Sequence, residues 1–143
     1  MFEDLLNSIF ESVVYCDLHP RTSILIILQE IQDDGCILSS AINAGCCALL
    51  DAGIPMRYLV SSSTVIVDNK NHIVIDPNLE ASQDCLTQFV TTFESVNYNI
   101  VSIVNEGSFD ATQLKEAIKL SQLASKEIFQ VYKESMNRRF LCD

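Results

Sequence analysis

The chain opens with apolar residues at helical spacing. Leu6, Ile9, Phe10 and Val13 fall on one face of a 3.6-residue repeat, so residues 3–15 are predicted to form an amphipathic helix. No capping sequence precedes this helix, because the chain begins within one turn of it. We therefore expect the sequence to start partway through a domain whose amino-terminal portion is missing.

An uninterrupted apolar run follows the break at Pro20. Residues 22–31, TSILIILQEI, are mostly β-branched or aliphatic, which is typical of a strand buried on both faces of a sheet. The sequence Asp33-Asp34-Gly35 then has the residues of a tight turn. We interpret the two aspartates as turn residues in preference to a metal site.

The next apolar stretch returns to the helical repeat. Residues 38–52 place Ile42, Cys46 and Leu49 on one side and fill the rest largely with Ala, Gly and Ser, which predicts a helix able to pack close to a sheet. Gly53 follows at the position of a helix stop.

Four shorter apolar runs predict two pairs of strands. Residues 58–67 and 72–75 flank a polar turn, which indicates a hairpin. Residues 85–93 and 98–104 are interpreted as a second pair.

The last apolar stripe predicts one long closing helix. It begins at Asp110, with Gln113 in the spacing of a capping box, and continues to about Asn137. Arg138 and Arg139 stand where the helix dipole favours cations, and we interpret them as a helix-end feature that can also meet a neighbour. The order of helix, strand, helix, strands and helix predicts an α+β fold, a mixed sheet packed against helices, with residues 1–143 in one domain.

Charge and cysteine content narrow the classes of function. Nineteen acidic residues against nine basic ones give a formal charge of −10, so any RNA contact must be local or shared with other chains. The six cysteines include no Cys-x-x-Cys pair, and we expect reduced thiols that act as small buried hydrophobes, with no metal and no cofactor. The chain has no run typical of a signal peptide or a membrane span.

Two blocks of the sequence resemble the RNase PH-like family. The block from His19 to Met56, HPRTSILIILQEIQDDGCILSSAINAGCCALLDAGIPM, is similar to the family's central segment, where a strand ends in Asp-Gly and a helix ends near Asp-Ala-Gly. The tail from Phe129 to Phe140, FQVYKESMNRRF, is similar to the last helix of exosome ring subunits in the bacterial-RNase-PH-like group. The resemblance implies an RNase PH-like fold without its amino-terminal strands and their RNA-facing basic residues. An exposed sheet edge would then favour association.

The resemblance also bears on catalysis. Active members of the family are phosphorolytic exonucleases that bind phosphate with a Gly-Gly-Thr-Arg-Thr-Ala pattern at a helix amino terminus. In the corresponding GCILSS stretch, Ile37 and Leu38 replace the Thr-Arg pair. Two aliphatic side chains cannot bind a dianion, so we expect a degenerate phosphate site with no catalytic residue.

Four further residues are candidates for a role. Asp84 and Glu80 are possible remnants of the family's acidic pair, although we favour solvated loop carboxylates. His19 is expected to position a strand entry and not to act as a general base. Arg21 is the candidate for a contact with RNA or with another subunit, and its alternative is a surface salt bridge.

The resemblance therefore implies a non-catalytic structural subunit of the eukaryotic RNA exosome ring. Such a subunit supports 3′-to-5′ RNA processing and degradation, including rRNA maturation and mRNA turnover, in the nucleus, nucleolus and cytoplasm. Its expected partners are the other RNase PH-like ring subunits, the cap proteins and RNA in the assembled ring, with no membrane contact.

Two alternatives stay open. One is a weak phosphorolytic or metal-dependent nuclease that acts as a homodimer and needs Asp84. The other is a truncated gene product whose partial domain does little by itself.

Overall fold

The structure, a computed structural model, describes residues 2–140 and contains four helices and four strands in that part of the chain. The helices are α1 (Phe2–Val13), α2 (Ile37–Asp51), α3 (Leu79–Gln83) and α4 (Ala111–Phe140). The strands are β1 (Val60–Val67), β2 (Ile73–Ile75), β3 (Thr87–Glu94) and β4 (Ile100–Gly107). A short 3₁₀ turn, Cys16–Leu18, follows α1. The α+β class, both strand pairs and the three long helices are confirmed.

The sheet is antiparallel throughout the described residues, in the order β2-β1-β3-β4. The expectation of a mixed sheet is therefore wrong for this part of the chain. Connectivity explains two of the three pairs, because residues 68–72 and 95–99 are too short to hold the crossover that a parallel pair needs. The third pair, β1 with β3, is antiparallel as well.

Two helices cover the sheet from opposite sides. On one face of β1, Thr64 bonds to Ser39 of α2. On the other face, Val65 and Val67 pack with Ala117 of α4. Because successive side chains of a strand point to opposite faces, this arrangement buries all eight residues of β1. The strand buried on both faces is therefore β1.

Residues 22–31 form no strand, so the prediction of a doubly buried strand there is wrong. Leu25, Ile27 and Ile31 are 80–96% exposed, and no described strand pairs with this segment. An apolar run can become a strand only where a neighbouring backbone supplies hydrogen bonds. The apolar pattern of the sequence reports a tendency to be buried and does not identify that neighbour.

Local signals at the ends of two helices behave as predicted. Gly53 has a φ of +67°, and the N–H groups of Gly53 and Ile54 bond to the carbonyls of Leu50 and Leu49, which is the Schellman pattern. At α4, the backbone N–H of Asp110 donates to Oε1 of Gln113 at 2.8 Å, which is one half of a capping box.

The cysteines differ from the expected set of buried hydrophobes. Cys46 is buried, whereas Cys16 and Cys47 are exposed and Cys36 and Cys85 are partly buried. All five are free thiols, and Cys142 lies outside the described residues. No helix among residues 2–140 is long and apolar enough to cross a membrane.

Candidate functional site

The candidate site lies at the amino terminus of α2, which begins directly after the Asp33-Asp34-Gly35 turn. Oδ1 of Asp33 accepts a hydrogen bond from the N–H of Gly35 at 2.8 Å, and Gly35 has a φ of +98°. These are the features of a turn closed by an aspartate side chain. The turn interpretation of Asp33 is confirmed.

The short helix α3 closes over this turn. Oδ1 of Asp34 accepts a hydrogen bond from the N–H of Leu79 at 3.2 Å, and the hydroxyl of Ser82 donates to the carbonyl of Gly35 at 3.4 Å. A Cβ atom added to Gly35 would lie 3.0 Å from the backbone carbon of Asn78. The polar stretch after β2 is therefore docked on the start of α2.

The hydroxyl of Ser39, in the first turn of α2, is already engaged inside the protein, whereas Ser40 is exposed. Ser39 is 5% exposed, and its hydroxyl lies 3.0 Å from the carbonyl oxygen of Cys36 and 2.9 Å from Oγ1 of Thr64. Cys36 stands at the cap position and its side chain makes no capping bond. Neither side chain is directed at an external anion.

A hollow of about 260 Å³ opens beside this helix terminus. Ile37 and Leu38 lie in its wall together with the carboxylate-bearing residues Asp33 and Glu106. The wall contains no Lys, Arg or His among the described residues. Ser82 and Gln88 add uncharged polar side chains to this wall, and the hydroxyl of Ser82 already donates to the carbonyl of Gly35. Because the carboxylates repel phosphate and no basic side chain offsets them, the hollow is a poor place for a dianion.

The thiol at the cap position is also chemically quiet. Burial, together with the nearby carboxylates of Asp76 and Asp34, raises the pKa of Cys36 to about 11, despite an opposing hydrogen bond with Thr64. A thiol with this raised pKa is protonated at neutral pH. The thiolate, which is the nucleophilic form, is therefore scarce. Cys36 is not an activated nucleophile.

The candidate acids do not converge on the hollow. Glu80 lies in α3 and Asp84 at its end, both exposed, and neither residue lines the cavity. The described residues include no group of three or more His, Cys, Asp or Glu able to hold a metal ion. Their role as remnants of an acidic pair gains no geometric support.

The candidate basic residue Arg21 lies away from this site, in the turn after the 3₁₀ segment. It is exposed, has a φ of +61° and makes no ion pair with another described residue. His19 is exposed as well, and its carbonyl accepts hydrogen bonds from the N–H and hydroxyl of Thr22. The strand entry expected at His19 is therefore a hydrogen-bonded turn.

The two arginines at the end of α4 have separate surroundings. Arg139 forms an ion pair with Asp51 at the end of α2, so its neighbour belongs to the same chain. Arg138 is exposed.

A partly buried hydrogen-bond network joins α2 to β1 and α4, and no sequence pattern predicted it. The amide of Asn43 donates to the carbonyl of Ser62 and accepts from its N–H, both at 2.8 Å. The hydroxyl of Tyr132 donates to Oδ1 of Asn43 at 3.1 Å, and burial raises the pKa of Tyr132 far above its ordinary value. The two partners of Asn43, Ser62 and Tyr132, lie 19 and 89 residues away from it in sequence. Such separations are beyond the reach of local sequence patterns.

Comparison with known proteins places this fold. Residues 1–55 match a family described as the 3′ exoribonuclease family, domain 1. The exosome complex component RRP46 homolog of Caenorhabditis elegans is 32% identical over 146 residues, a span that covers 100% of this chain and 68% of that protein. The chain belongs to the RNase PH family.

Solved structures agree with the family assignment. The crystal structure of rice Rrp46 has a TM-score of 0.89 and 25% identity, and the match covers 95% of this chain and 64% of the rice chain. That of the C. elegans cell-death-related nuclease 5 has a TM-score of 0.69 and 30% identity, over 79% of this chain and 62% of the other. The RNase PH family chain described here thus spans 62% to 68% of these three relatives.

Proposed function

We propose that this RNase PH family chain is a non-catalytic structural subunit of an RNA exosome ring that supports 3′-to-5′ processing and degradation of RNA. Its C. elegans relative is named an exosome complex component, and its family is one of 3′ exoribonucleases. The observation that carries the non-catalytic part is the wall of the hollow at α2. Among the described residues that wall carries carboxylates and no basic side chain, whereas phosphorolysis requires groups that stabilise the charge of phosphate.

The acidic charge fits a structural role in a shared assembly. With a formal charge of −10, an isolated chain repels the phosphates of RNA over most of its surface. In a ring, the basic groups that guide RNA come from several subunits. The proposed partners are therefore other RNase PH-like ring subunits and cap proteins, and the proposed locations are the nucleus, the nucleolus and the cytoplasm.

Ring membership is tested by purification from cells of the source organism through an affinity tag on this chain. We expect stoichiometric recovery of other RNase PH-like subunits. The matched control is the variant Ile42→Asp, which puts a charge at a position that is 1% exposed in the core and abolishes the fold. Recovery of the native chain free of ring subunits would contradict the proposal.

The absence of catalysis is tested with a 3′-labelled single-stranded RNA and inorganic phosphate. Purified chain should release no nucleoside diphosphate above the level of the buffer, since two contacts worth a few kcal/mol each correspond to several orders of magnitude in rate. An active phosphorolytic homologue serves as the positive control. Phosphate-dependent release that scales with chain concentration would overturn the non-catalytic assignment.

A nuclease is the second candidate, because one structural relative is named a cell-death-related nuclease. Under this alternative, magnesium-dependent release of nucleotide from single-stranded DNA or RNA is lost in Asp84→Ala and kept in Glu116→Ala, an exposed carboxylate on α4. We expect no release from either variant or from the native chain. Loss confined to Asp84→Ala would favour the nuclease.

A further inference from the structure

The strongest unexplained feature is the distribution of positive charge on α4. Four of the chain's five lysines lie on this helix, and they form a line that we call the lysine line: Lys115, Lys119, Lys126 and Lys133. At 3.6 residues per turn, these positions fall within about 40° of one another around the helix. The lysine line is about 27 Å long at 1.5 Å per residue.

All four side chains of the lysine line are free to meet a ligand. They are exposed, and none forms an ion pair with another described residue. The glutamates of α4 stand on a line of their own, roughly 100° or more around the helix from Lys115: Glu116, Glu127 and Glu134. The helix therefore separates its positive charges from its negative ones.

A purely solvating role does not account for this arrangement. Lys115 and Lys119 are four residues apart, where like charges repel and destabilise a helix, whereas a glutamate and a lysine at that distance would stabilise it. The helix also carries six of the nine basic residues of a chain whose formal charge is −10. Positive charge gathered along one helix of an acidic chain is typical of a site for a polyanion.

The turn between β3 and β4 adds an aromatic ring beside the middle of the lysine line. Nζ of Lys126 lies 5.2 Å from the centre of the Tyr98 ring. The ring of Phe129 meets that of Tyr98 edge to face, with 6.0 Å between their centres, and Nε2 of Gln122 donates to the carbonyl of Tyr98 at 3.5 Å. Three residues of α4 thus hold Tyr98 against the lysine line.

Tyr98 occupies a position where the backbone favours another residue. Its φ is +56°, in the left-handed region that Asn and Gly adopt readily and bulky side chains rarely do. Residues of the favoured type, Asn97 and Asn99, stand on either side of it. The stability of the turn therefore does not explain an aromatic residue at this position.

The lysine line lies far from the exposed segment of residues 22–31. Ile26 of that segment packs with Leu49 of α2, and α2 bonds to one face of β1 through Ser39. Ala117 of α4 packs on the opposite face of β1. The helix α2 and the sheet therefore separate the lysine line from that segment.

We propose that the lysine line and Tyr98 bind single-stranded RNA. The lysines contact its phosphates as point charges, and one base stacks on the ring of Tyr98, a contact that tolerates any base. A phosphate draws Nζ of Lys126 away from the ring, whose face then accepts the base. The inference rests on the proposed function for the choice of RNA as the polyanion.

Tyr98 favours a nucleic acid over an acidic segment of another protein. Both ligands supply negative charges to the lysine line, but bases also supply flat rings that stack on an aromatic side chain. An acidic peptide would gain nothing of this kind from Tyr98. The aromatic ring at a strained position therefore decides between the two classes of ligand.

Salt-dependent binding tests the lysine line, with fluorescence anisotropy of a labelled oligouridine of about 12 nucleotides and the purified chain. We expect the logarithm of the affinity to fall against the logarithm of the salt concentration with a slope of about −3, since four phosphate contacts contribute about 0.7 each. Lys119→Gln and Lys133→Gln should each reduce the steepness by about 0.7 and weaken binding on the order of fivefold at about 50 mM salt.

The matched control is Lys70→Gln, which changes the net charge by the same amount. Lys70 is exposed in the turn whose Asn71 bonds to Gln113, on the opposite side of α4 from the lysine line. This variant should bind within about twofold of the native chain. A native chain that binds no RNA at low salt would overturn the proposal, and so would equal losses in Lys70→Gln and Lys119→Gln.

A second variant tests the stacked base. Tyr98→Asn places a residue that tolerates the left-handed φ, so the melting temperature should show that the fold is kept, while affinity falls on the order of tenfold with the same salt slope. Tyr98→Phe should bind within about twofold of the native chain. Undiminished binding by Tyr98→Asn would contradict stacking. Polyglutamate that competes as well as unlabelled RNA of equal charge would assign the lysine line to an acidic protein and overturn the proposal.

This inference and ring membership fail separately. A tagged chain with Lys119→Gln and Lys133→Gln should recover ring subunits in full, because both residues are exposed and act on RNA alone. Reduced recovery would mean that the lysine line contacts another subunit, which would overturn the inference. A native chain that binds RNA as described and recovers no ring subunits would contradict the proposed function and leave the RNA site supported.

Discussion

Two apolar segments, one before α2 in sequence and one after it, differ in how far their side chains are buried. On the carboxyl-terminal side, Val65, Ile66 and Val67 of β1 are at most 1% exposed, between paired strands and under two helices. On the amino-terminal side, Leu25 and Ile27 are at least 80% exposed. The difference teaches that apolar residues form a buried strand only where neighbours supply hydrogen bonds and cover both faces.

The amino terminus of α2 and the groove along α1 differ in a similar way. The amino terminus of α2 is closed, because α3 docks on its turn through Asp34 and Ser82. The groove along α1 is open, and the exposed segment before α2 forms part of its wall. The proposed non-catalytic role rests on this closed amino terminus of α2.

The largest expected effect comes from truncating a large side chain in the buried sheet. Phe89 is fully buried, packs with Val65 and Val67, and meets the ring of Phe109 edge to face at 5.1 Å. Phe89→Ala should lower the free energy of unfolding by about 3–5 kcal/mol. Urea denaturation followed by circular dichroism measures the loss.

Leu25→Ala is the counterpart of Phe89→Ala in the exposed segment of residues 22–31. It should change the free energy of unfolding of the monomer by less than about 0.5 kcal/mol, because Leu25 is 82% exposed. Equal losses of unfolding free energy in the two variants would contradict the contrast between the buried sheet and the exposed segment.

A smaller effect is expected where α1 meets α2. Gly45 faces Phe10, and an added Cβ would collide with the phenyl ring. Gly45→Ala should therefore cost about 1–3 kcal/mol of unfolding free energy through overpacking. Adding Phe10→Leu should recover part of the loss in a double-mutant cycle, and additive losses would show that the two residues do not touch.

Two buried serines on opposite faces of the sheet should respond with opposite signs. The hydroxyl of Ser121 on α4 is buried without a partner among the described residues, so Ser121→Ala should be neutral or stabilising by up to about 1 kcal/mol. Ser39→Ala removes the bond to Thr64 and should destabilise by about 1 kcal/mol. Thermal melts of both variants measure the pair, and destabilisation by Ser121→Ala would reveal a partner for its hydroxyl.

The smallest effect concerns the exposed turn between β1 and β2. Hydrogen bonds from the backbone N–H groups of His72 and Lys70 lower the pKa of Asp68 below its ordinary value of 3.8. A lowered folded-state pKa contributes stability above pH 3.8, and that stability is lost as the pH falls through the folded-state value. Asp68→Asn should therefore flatten the acid dependence of the melting temperature in that range. An unchanged slope would contradict this role.

The sequence was informative where structure depends on neighbours along the chain. The Gly53 stop, the Asp110 to Gln113 cap and the β1–β2 hairpin follow from spacing of a few residues, and all are present. The fully buried β1 was harder to recognise because it begins Val-Ser-Ser-Ser, and only tertiary packing buries those hydroxyls.

The candidate site was predictable only in part. The resemblance located Ile37 and Leu38 at the start of a helix, where the structure has them. The closure by α3 was missed, because it depends on contacts such as that from Asp34 to Leu79, which are 45 residues apart. The polar stretch that forms α3 has no apolar repeat that could have indicated a docked helix.

The most direct test of the central claim is a phosphate titration followed by backbone amide NMR. The claim is that the closed amino terminus of α2 has no place for phosphate, so the amides of residues 35–40 should show no saturable shift at fixed ionic strength. Sulfate at matched ionic strength is the control. A saturable, phosphate-specific shift of the Ile37, Leu38 and Ser39 amides would contradict the account.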